Sequence, residues 1–120
     1  MQLQVTTKEG RKYLNDVVIG ELILCEDGQY YPIKNILITS CYPIFARLSN
    51  GISFYASIRM NIKTNKGFKT PELWDVIEIS KDLTPQIVNL RNIDRIMFFH
   101  DILVDGNIIT PDGLVFSYKS

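Results

Sequence analysis

The chain has 120 residues, of which 46% are apolar and 22% are charged, values typical of an ordinary globular domain. Thirteen basic residues balance thirteen acidic ones, so no net charge attracts nucleic acid or an anionic membrane non-specifically. The N-terminal sequence MQLQVTTKEGRK lacks the apolar segment of a signal peptide, and no apolar run approaches the roughly 18 residues that span a bilayer. We therefore expect one cytoplasmic domain over residues 1–120.

Five glycine-containing turn signals divide the chain into short segments rich in Ile, Val, Leu, Tyr and Phe. They are EDG at 26–28, SNG at 49–51, NKG at 65–67, VDGN at 104–107 and PDG at 111–113. Short β-branched and aromatic segments between closely spaced turns are typical of antiparallel all-β domains. The sequence predicts a small antiparallel β-barrel or two-layer sandwich of about eight to ten strands, with at most one short helical turn.

The segment QYYPIKNILI at 29–38 resembles QIVNLRNIDRI at 86–96. Aligning Asn35 with Asn92 places Lys34 opposite Arg91. Because asparagine tolerates sharp backbone corners, each segment predicts a strand that ends at a basic residue and then turns. Two interpretations stay open: an internal duplication that makes Lys34 and Arg91 equivalent in two similar halves, or unrelated strands of similar composition.

Residues 43–60 predict the best-defined hairpin. Even-numbered residues are apolar from 44 to 48 and again from 52 to 60. A three-residue loop over 49–51 pairs Leu48 with Ile52 and aligns the two apolar faces, with Gly51 at positive φ, whereas a two-residue loop would oppose them. The other face of this hairpin would then carry Phe45, Arg47, Tyr55 and Arg59.

Residues 61–74 contain three lysines and the sole tryptophan. The lysine-rich part predicts a solvated hairpin tip, with a basic binding finger as the alternative. Thr70-Pro71-Glu72 resembles the start of a helix, but the β-branched residues after Trp74 limit it to one turn. We interpret Trp74 as an anchor over one end of the core, or alternatively as an exposed interface residue.

The C-terminal third predicts further strands. A strand over 86–90 with a corner at Arg91-Asn92 is preferred to a helix that starts near Thr84-Pro85. Residues 95–118 predict a meander: a strand over 95–104, a turn at Asp105-Gly106, residues 107–110, the PDG turn, and a strand over 114–118.

The sequence contains no recognisable catalytic or metal-binding motif. His100 is the only histidine, and Asp101 follows it, but successive strand residues point to opposite faces and do not form a dyad. Cys25 and Cys41 lie in apolar, β-like segments and predict reduced, partly buried thiols. No Walker loop, GxGxxG, GxSxG or HExxH sequence occurs. We therefore expect no enzyme activity, no metal and no cofactor.

These observations favour a non-enzymatic binding or inhibitor module that acts through a protein interface. One alternative is a small-ligand binder that sequesters a nucleotide or short oligonucleotide through arginine-aromatic contacts. Another is a structural subunit of a larger assembly. The frequent Ile, Asn, Lys and Tyr residues indicate AT-rich coding DNA, as in a phage or a low-GC bacterium.

We expect a protein partner or self-association, because edge strands and apolar surface favour association. The candidate binding residues are Lys34, Phe45, Arg47, Tyr55, Arg59, Trp74 and Arg91.

Overall fold

The computed structural model describes residues 3–79 and 84–118, which contain thirteen β-strands and one 3-10 turn, Leu14–Asp16. The strands are β1 (Gln4–Thr7), β2 (Gly10–Tyr13), β3 (Leu22–Leu24), β4 (Tyr30–Pro32), β5 (Asn35–Cys41), β6 (Ile44–Leu48), β7 (Ser53–Ala56), β8 (Met60–Thr64), β9 (Gly67–Lys69), β10 (Ile87–Asn92), β11 (Met97–Leu103), β12 (Ile108–Ile109) and β13 (Val115–Tyr118). The predicted all-β class is confirmed, with more and shorter strands than expected.

The described strands form four antiparallel sheets, one of them two-stranded. Their spatial orders are β2-β1-β3-β4, β10-β6-β7 and β12-β13-β8-β9, and β5 pairs with β11 as a two-stranded ribbon. The radius of gyration is 13.4 Å, close to the value of about 14 Å expected for a compact chain of this length. Among the described residues, no helix is long and apolar enough to cross a membrane.

The inward faces of these sheets share a hydrophobic core. Its largest fully buried side chains are Val5, Ile23, Ile33, Leu48, Phe54, Met60, Ile62, Ile77, Ile87, Ile108, Leu114 and Phe116. Burying one such side chain contributes about 1.5–3 kcal/mol. Because these residues come from three of the sheets, burial of apolar surface holds the sheets together.

An isolated two-stranded ribbon is only marginally stable. The ribbon of β5 and β11 is therefore stabilised by contacts with the core and with the 3-10 turn. Ile102 of β11 enters the core. From the 3-10 turn, the Asn15 Nδ2 donates a hydrogen bond to the Phe98 carbonyl at 3.0 Å. The Asn15 Oδ1 accepts one from the His100 N–H at 3.0 Å. The N-terminal part of the chain therefore positions β11 directly.

The predicted three-residue loop between β6 and β7 is confirmed. The Leu48 N–H donates to the Ile52 carbonyl at 2.7 Å, and the Gly51 N–H donates to the Leu48 carbonyl at 3.0 Å. Gly51 has a φ of +94°, a conformation that glycine adopts at little cost. Phe45 and Tyr55 lie side by side on the outer face, with ring centroids 5.3 Å apart.

The second strand of this hairpin is shorter than the alternation predicts. β7 ends at Ala56, residues 57–59 turn, and Met60 begins β8, which pairs with β13 and β9. Ser57 is buried and its Oγ accepts a hydrogen bond from the Arg59 N–H at 3.3 Å, while Ile58 is exposed. Arg59 therefore leaves the face that carries Phe45, and its predicted placement there is wrong.

The C-terminal meander is only partly present. β12 and β13 pair across the PDG turn, where the Gly113 N–H donates to the Thr110 carbonyl at 2.9 Å. β11, however, pairs with β5 and not with β12. The sequence between neighbouring turns contained no signal for this long-range pairing.

The remaining local predictions have mixed outcomes. β10 is a strand, as preferred, but it continues through Asn92 and the corner follows it. No helical turn forms at 70–74, and the one observed is Leu14–Asp16. Lys34 lies outside the strands whereas Arg91 lies within β10, so these two aligned positions differ locally, and the internal duplication stays a prediction.

Trp74 is strained and exposed. Its φ is +70°, a conformation that is unfavourable for a residue with a Cβ atom, and 60% of its surface is accessible. The Trp74 N–H donates to the Ile87 carbonyl at 2.8 Å. The adjacent Asp75, which is buried, accepts hydrogen bonds from Lys69 Nζ at 2.9 Å and from the Glu72 N–H at 2.8 Å. These bonds hold the strained residue in place, and the interpretation of Trp74 as a core anchor is wrong.

Replacing Trp74 by glycine should give a protein more stable by about 1 kcal/mol than the Trp74→Ala variant, because only glycine relieves the cost of positive φ. Urea denaturation followed by far-ultraviolet circular dichroism measures this, since both variants lack tryptophan fluorescence. Equal unfolding free energies for the two variants would contradict backbone strain at this position.

Candidate functional site

A carboxyl group is buried on the face of β11 that also carries Phe99. Asp101 is only 5% exposed, and the hydroxyl residues Thr39 and Ser57 beside it are 8% and 2% exposed. We call these three residues the Asp101 cluster. A buried charged group in an otherwise apolar environment is costly, so such a cluster is a candidate functional site.

Each carboxylate oxygen of Asp101 has a hydroxyl donor. Thr39 Oγ1 donates to Asp101 Oδ2 at 2.5 Å, and Ser57 Oγ donates to Asp101 Oδ1 at 2.9 Å. The register of the ribbon places Leu37 opposite Asp101, so Thr39, two residues further along β5, lies diagonally across on the same face. Ser57 reaches the carboxylate from the turn between β7 and β8. The cluster therefore joins the ribbon to the three-stranded sheet.

The environment of Asp101 changes its proton affinity. Burial raises the pKa of the Asp101 carboxyl, because the charged form loses its hydration. Hydrogen bonds from Thr39 and Ser57 and electrostatic interactions with Arg59 and His100 lower the pKa, but by less than burial raises it. The carboxyl therefore keeps its proton to a higher pH than an ordinary aspartic acid does.

A surface cavity of about 230 Å³ opens onto this carboxyl. It is lined by Asn35, Leu37, Arg59, Asp101, Ile102, Leu103 and Tyr118. Among the described residues, Tyr118 Oη and His100 Nδ1 are buried polar atoms without a hydrogen-bond partner. Burial, and then the charge of Asp101, raise the pKa of the Tyr118 phenol well above its usual value. A phenol, a carboxyl and a guanidinium thus line one cavity.

The cysteines are free and buried, as the sequence predicts. Burial, together with the nearby Asp27 and Glu26, raises the pKa of the Cys25 thiol to about 11. Since the thiolate is the reactive form, Cys25 is a poor nucleophile. In residues 3–79 and 84–118, no group of three or more His, Cys, Asp or Glu side chains could hold a metal ion.

The sequence-predicted binding residues separate into different places. Phe45, Arg47, Tyr55 and Arg91 lie on the outer face of the three-stranded sheet. Arg59 lies instead beside Asp101. Trp74 is exposed at its strained turn, and the Lys34 Nζ is 2.7 Å from Asp105 Oδ1, an exposed ion pair.

The Asp101 cluster was missed at the level of sequence. The sequence-based prediction considered Asp101 only as a neighbour of His100 and did not identify its burial. A usable signal was present, because Asp101 is the one acidic residue within the predicted strand over 95–104, which is otherwise rich in apolar residues. An acidic residue at an inward position predicts either a buried partner or a functional site. Its partners Thr39 and Ser57 carry no comparable local signal.

The backbone of the chain is similar to solved structures of inteins, which are protein-splicing domains. The gp41-1 intein matches with a TM-score of 0.84 at 18% identity, over 97% of this chain and 94% of that chain. The MchDnaB-1 intein matches with a TM-score of 0.78 at 17% identity, over 97% and 96% of the two chains. A DnaB intein from Synechocystis sp. PCC 6803 matches with a TM-score of 0.77 at 14% identity, over 99% and 95%. The chain has an intein-like fold.

At these identities the likeness shows the fold alone. No protein family model matches the sequence, and no curated protein matches it. The likeness extends over nearly the whole chain.

The intein-like fold corrects the function predicted from sequence. Inteins catalyse protein splicing. The prediction of a non-enzymatic binding or inhibitor module is therefore wrong, as are its alternatives of nucleotide sequestration and a structural subunit. The prediction was wrong because it relied on short catalytic motifs, and this fold assembles its polar groups from distant segments.

The stability of the protein should depend on pH through Asp101. Because its pKa is raised in the folded state, the native protein binds more protons than the unfolded chain between the ordinary and the raised pKa. The free energy of unfolding should therefore fall as pH rises through this interval. Relative to an Asp101→Asn variant, which does not titrate there, the wild type should lose stability as the pH rises from the ordinary pKa of an aspartic acid to the raised pKa of Asp101.

Urea denaturation at a series of pH values measures this difference. The Asp94→Asn variant removes an exposed carboxylate from the connection that precedes β11. It therefore controls for the change in net charge. The quantity compared is the free energy of unfolding of the wild type minus that of Asp101→Asn. If this difference stays constant or increases with rising pH, the assignment is contradicted.

Proposed function

We propose that the chain is a self-processing domain of the intein type, which rearranges a peptide bond at one of its own ends. The observation that carries this proposal is the match of the complete fold to intein splicing domains, at a TM-score of 0.84 over 97% of the chain for the gp41-1 intein. The Asp101 cluster also supports the proposal, because it contains a buried carboxyl group that could transfer protons in such a reaction.

Rearrangement of a peptide bond requires proton transfer. A nucleophile that attacks the carbonyl carbon must lose a proton, and the departing amide nitrogen must gain one. A carboxyl whose pKa is raised above its ordinary value is a stronger base when ionised, which suits it to proton transfer. Asp101 has such a raised pKa, and Thr39 and Ser57 hold its two oxygens in place. We assign Asp101 as the general acid-base group.

The other groups around the cavity complement this assignment. Arg59 lines the cavity with Asp101 and supplies positive charge where a carbonyl oxygen would become negative. Tyr118 Oη is buried without a partner, so it is available to hydrogen-bond a peptide group that enters the cavity. Tyr118 is the last residue of β13 and also lines the cavity.

A domain that acts on its own ends must hold both of them on one body. Leu3 is part of the hydrophobic core, and Tyr118 packs against the same core. β1 and β13 are thus anchored by the same buried side chains.

The test inserts the full sequence between two soluble reporter proteins of different mass. We expect cleavage or ligation products that release a reporter, identified by gel electrophoresis and by intact-mass spectrometry. Asp101→Asn should slow their appearance by about a hundredfold, the usual contribution of a general acid-base group. The Asp94→Asn variant should process at the wild-type rate, because Asp94 is exposed in the connection before β11.

A folded fusion that stays intact over several days would overturn the proposal. Circular dichroism of the isolated chain establishes folding independently. Equal processing by the wild type and Asp101→Asn would retain self-processing but remove Asp101 from the reaction.

A further inference from the structure

The outer face of the three-stranded sheet carries a row of side chains that the core does not use. Arg91 of β10 lies opposite Phe45 of β6, and Phe45 lies opposite Tyr55 of β7. The Arg91 guanidinium carbon is 5.1 Å from the centroid of the Phe45 ring, and the Phe45 and Tyr55 rings meet edge to face. Arg47, two residues beyond Phe45 on the same strand, projects to the same side. We call these four residues the arginine-aromatic face.

The charge of this face is not neutralised. No aspartate or glutamate occurs in β6, β7 or β10. Among the described residues, Arg47 and Arg91 form no ion pair, whereas four lysines elsewhere do: Lys12, Lys34, Lys63 and Lys69. Both arginines are exposed, and stacking on Phe45 limits the freedom of Arg91. The protein therefore presents one guanidinium group stacked on Phe45 and a second on the same sheet face, with their hydrogen-bond donors available.

We propose that the arginine-aromatic face binds an acidic polypeptide segment. A guanidinium group binds a carboxylate through two parallel hydrogen bonds, and a stacked guanidinium loses less freedom when it does so. Phe45 and Tyr55 provide apolar surface for the aliphatic part of glutamate side chains and for the peptide backbone. Arginine and tyrosine are also the residues that most often dominate binding energies at protein interfaces.

The charge of the whole chain favours a polypeptide over a nucleic acid. Binding to nucleic acid without sequence specificity depends on many phosphate contacts and on a positive field. This chain has no net charge, and the face offers two cations. Two arginines match a few carboxylates over a short segment, which is the complementarity that protein interfaces use.

This interaction is independent of the proposed self-processing. None of the four residues lines the cavity beside Asp101. Their strands turn their other faces, with Ala46 and Phe54, into the core. Substitutions of the two arginines should therefore leave both folding and processing unchanged.

The test measures binding of a fluorescein-labelled, blocked octamer of glutamate to the full chain by fluorescence anisotropy at low and moderate salt. We expect Arg47→Gln combined with Arg91→Gln to weaken binding by about tenfold or more, since the carboxylates lose both guanidinium partners. Arg91→Lys should weaken it as well, because lysine keeps the charge but loses the planar donors. The matched control, Lys8→Gln with Lys66→Gln, removes the same charge outside this sheet and should bind like the wild type.

Three results would overturn the proposal: no measurable binding of the octamer, equal weakening by the lysine control, or tighter binding of a single-stranded thymidine octanucleotide than of the peptide. The last result would assign the face to nucleic acid instead. Thermal unfolding of each variant confirms that a loss of binding does not reflect a loss of fold.

Discussion

The Asp101 carboxylate joins parts of the molecule that are far apart in sequence. Its two hydroxyl donors are 62 and 44 residues away, on β5 and in the turn after β7. Through these bonds and through Asn15, the ribbon of β5 and β11 is attached to sheets with which it shares no strand pairing. Without them the ribbon would have only its inward apolar residues to hold it against the core.

Burial of this carboxylate has a cost that apolar packing would avoid. Replacement of a buried polar group by a well-packed apolar one is often neutral or stabilising. Buried positions of the strands are mostly apolar, and Asp101 is an exception. Such exceptions are concentrated at functional sites. The raised pKa of Asp101 and the cavity beside it give this departure a chemical use.

Local physics made part of the fold predictable from sequence. The three-residue loop and the alternation of apolar residues pair Leu48 with Ile52. Proline and glycine specify the turn before Leu114. The same alternation misleads at Ile58, because the periodic pattern runs across a turn that depends on Ser57 and its distant partner Asp101. The pairing of β11 with β5 is similarly non-local.

The candidate sites also differ in how far they depend on local sequence and how far on long-range contacts. The outward row of Phe45 and Tyr55 follows from the register of one hairpin, so the sequence predicts it. Arg91 joins this row only because β10 pairs with β6, a long-range contact. The Asp101 cluster depends entirely on such contacts. The sequence offers only one clue to it, an aspartate among apolar residues.

The proposed chemistry depends most directly on the proton affinity of Asp101. Carbon-detected NMR titration of the carboxyl groups in the full chain measures it, with Asp101→Asn to assign the resonance. We predict a pKa above the ordinary value of 3.8, and a further rise in the Thr39→Val variant, which removes a hydrogen bond that favours the charged form. A pKa at or below 3.8 would contradict the account, because Asp101 would then be an ordinary ionised carboxylate without the proposed acid-base chemistry.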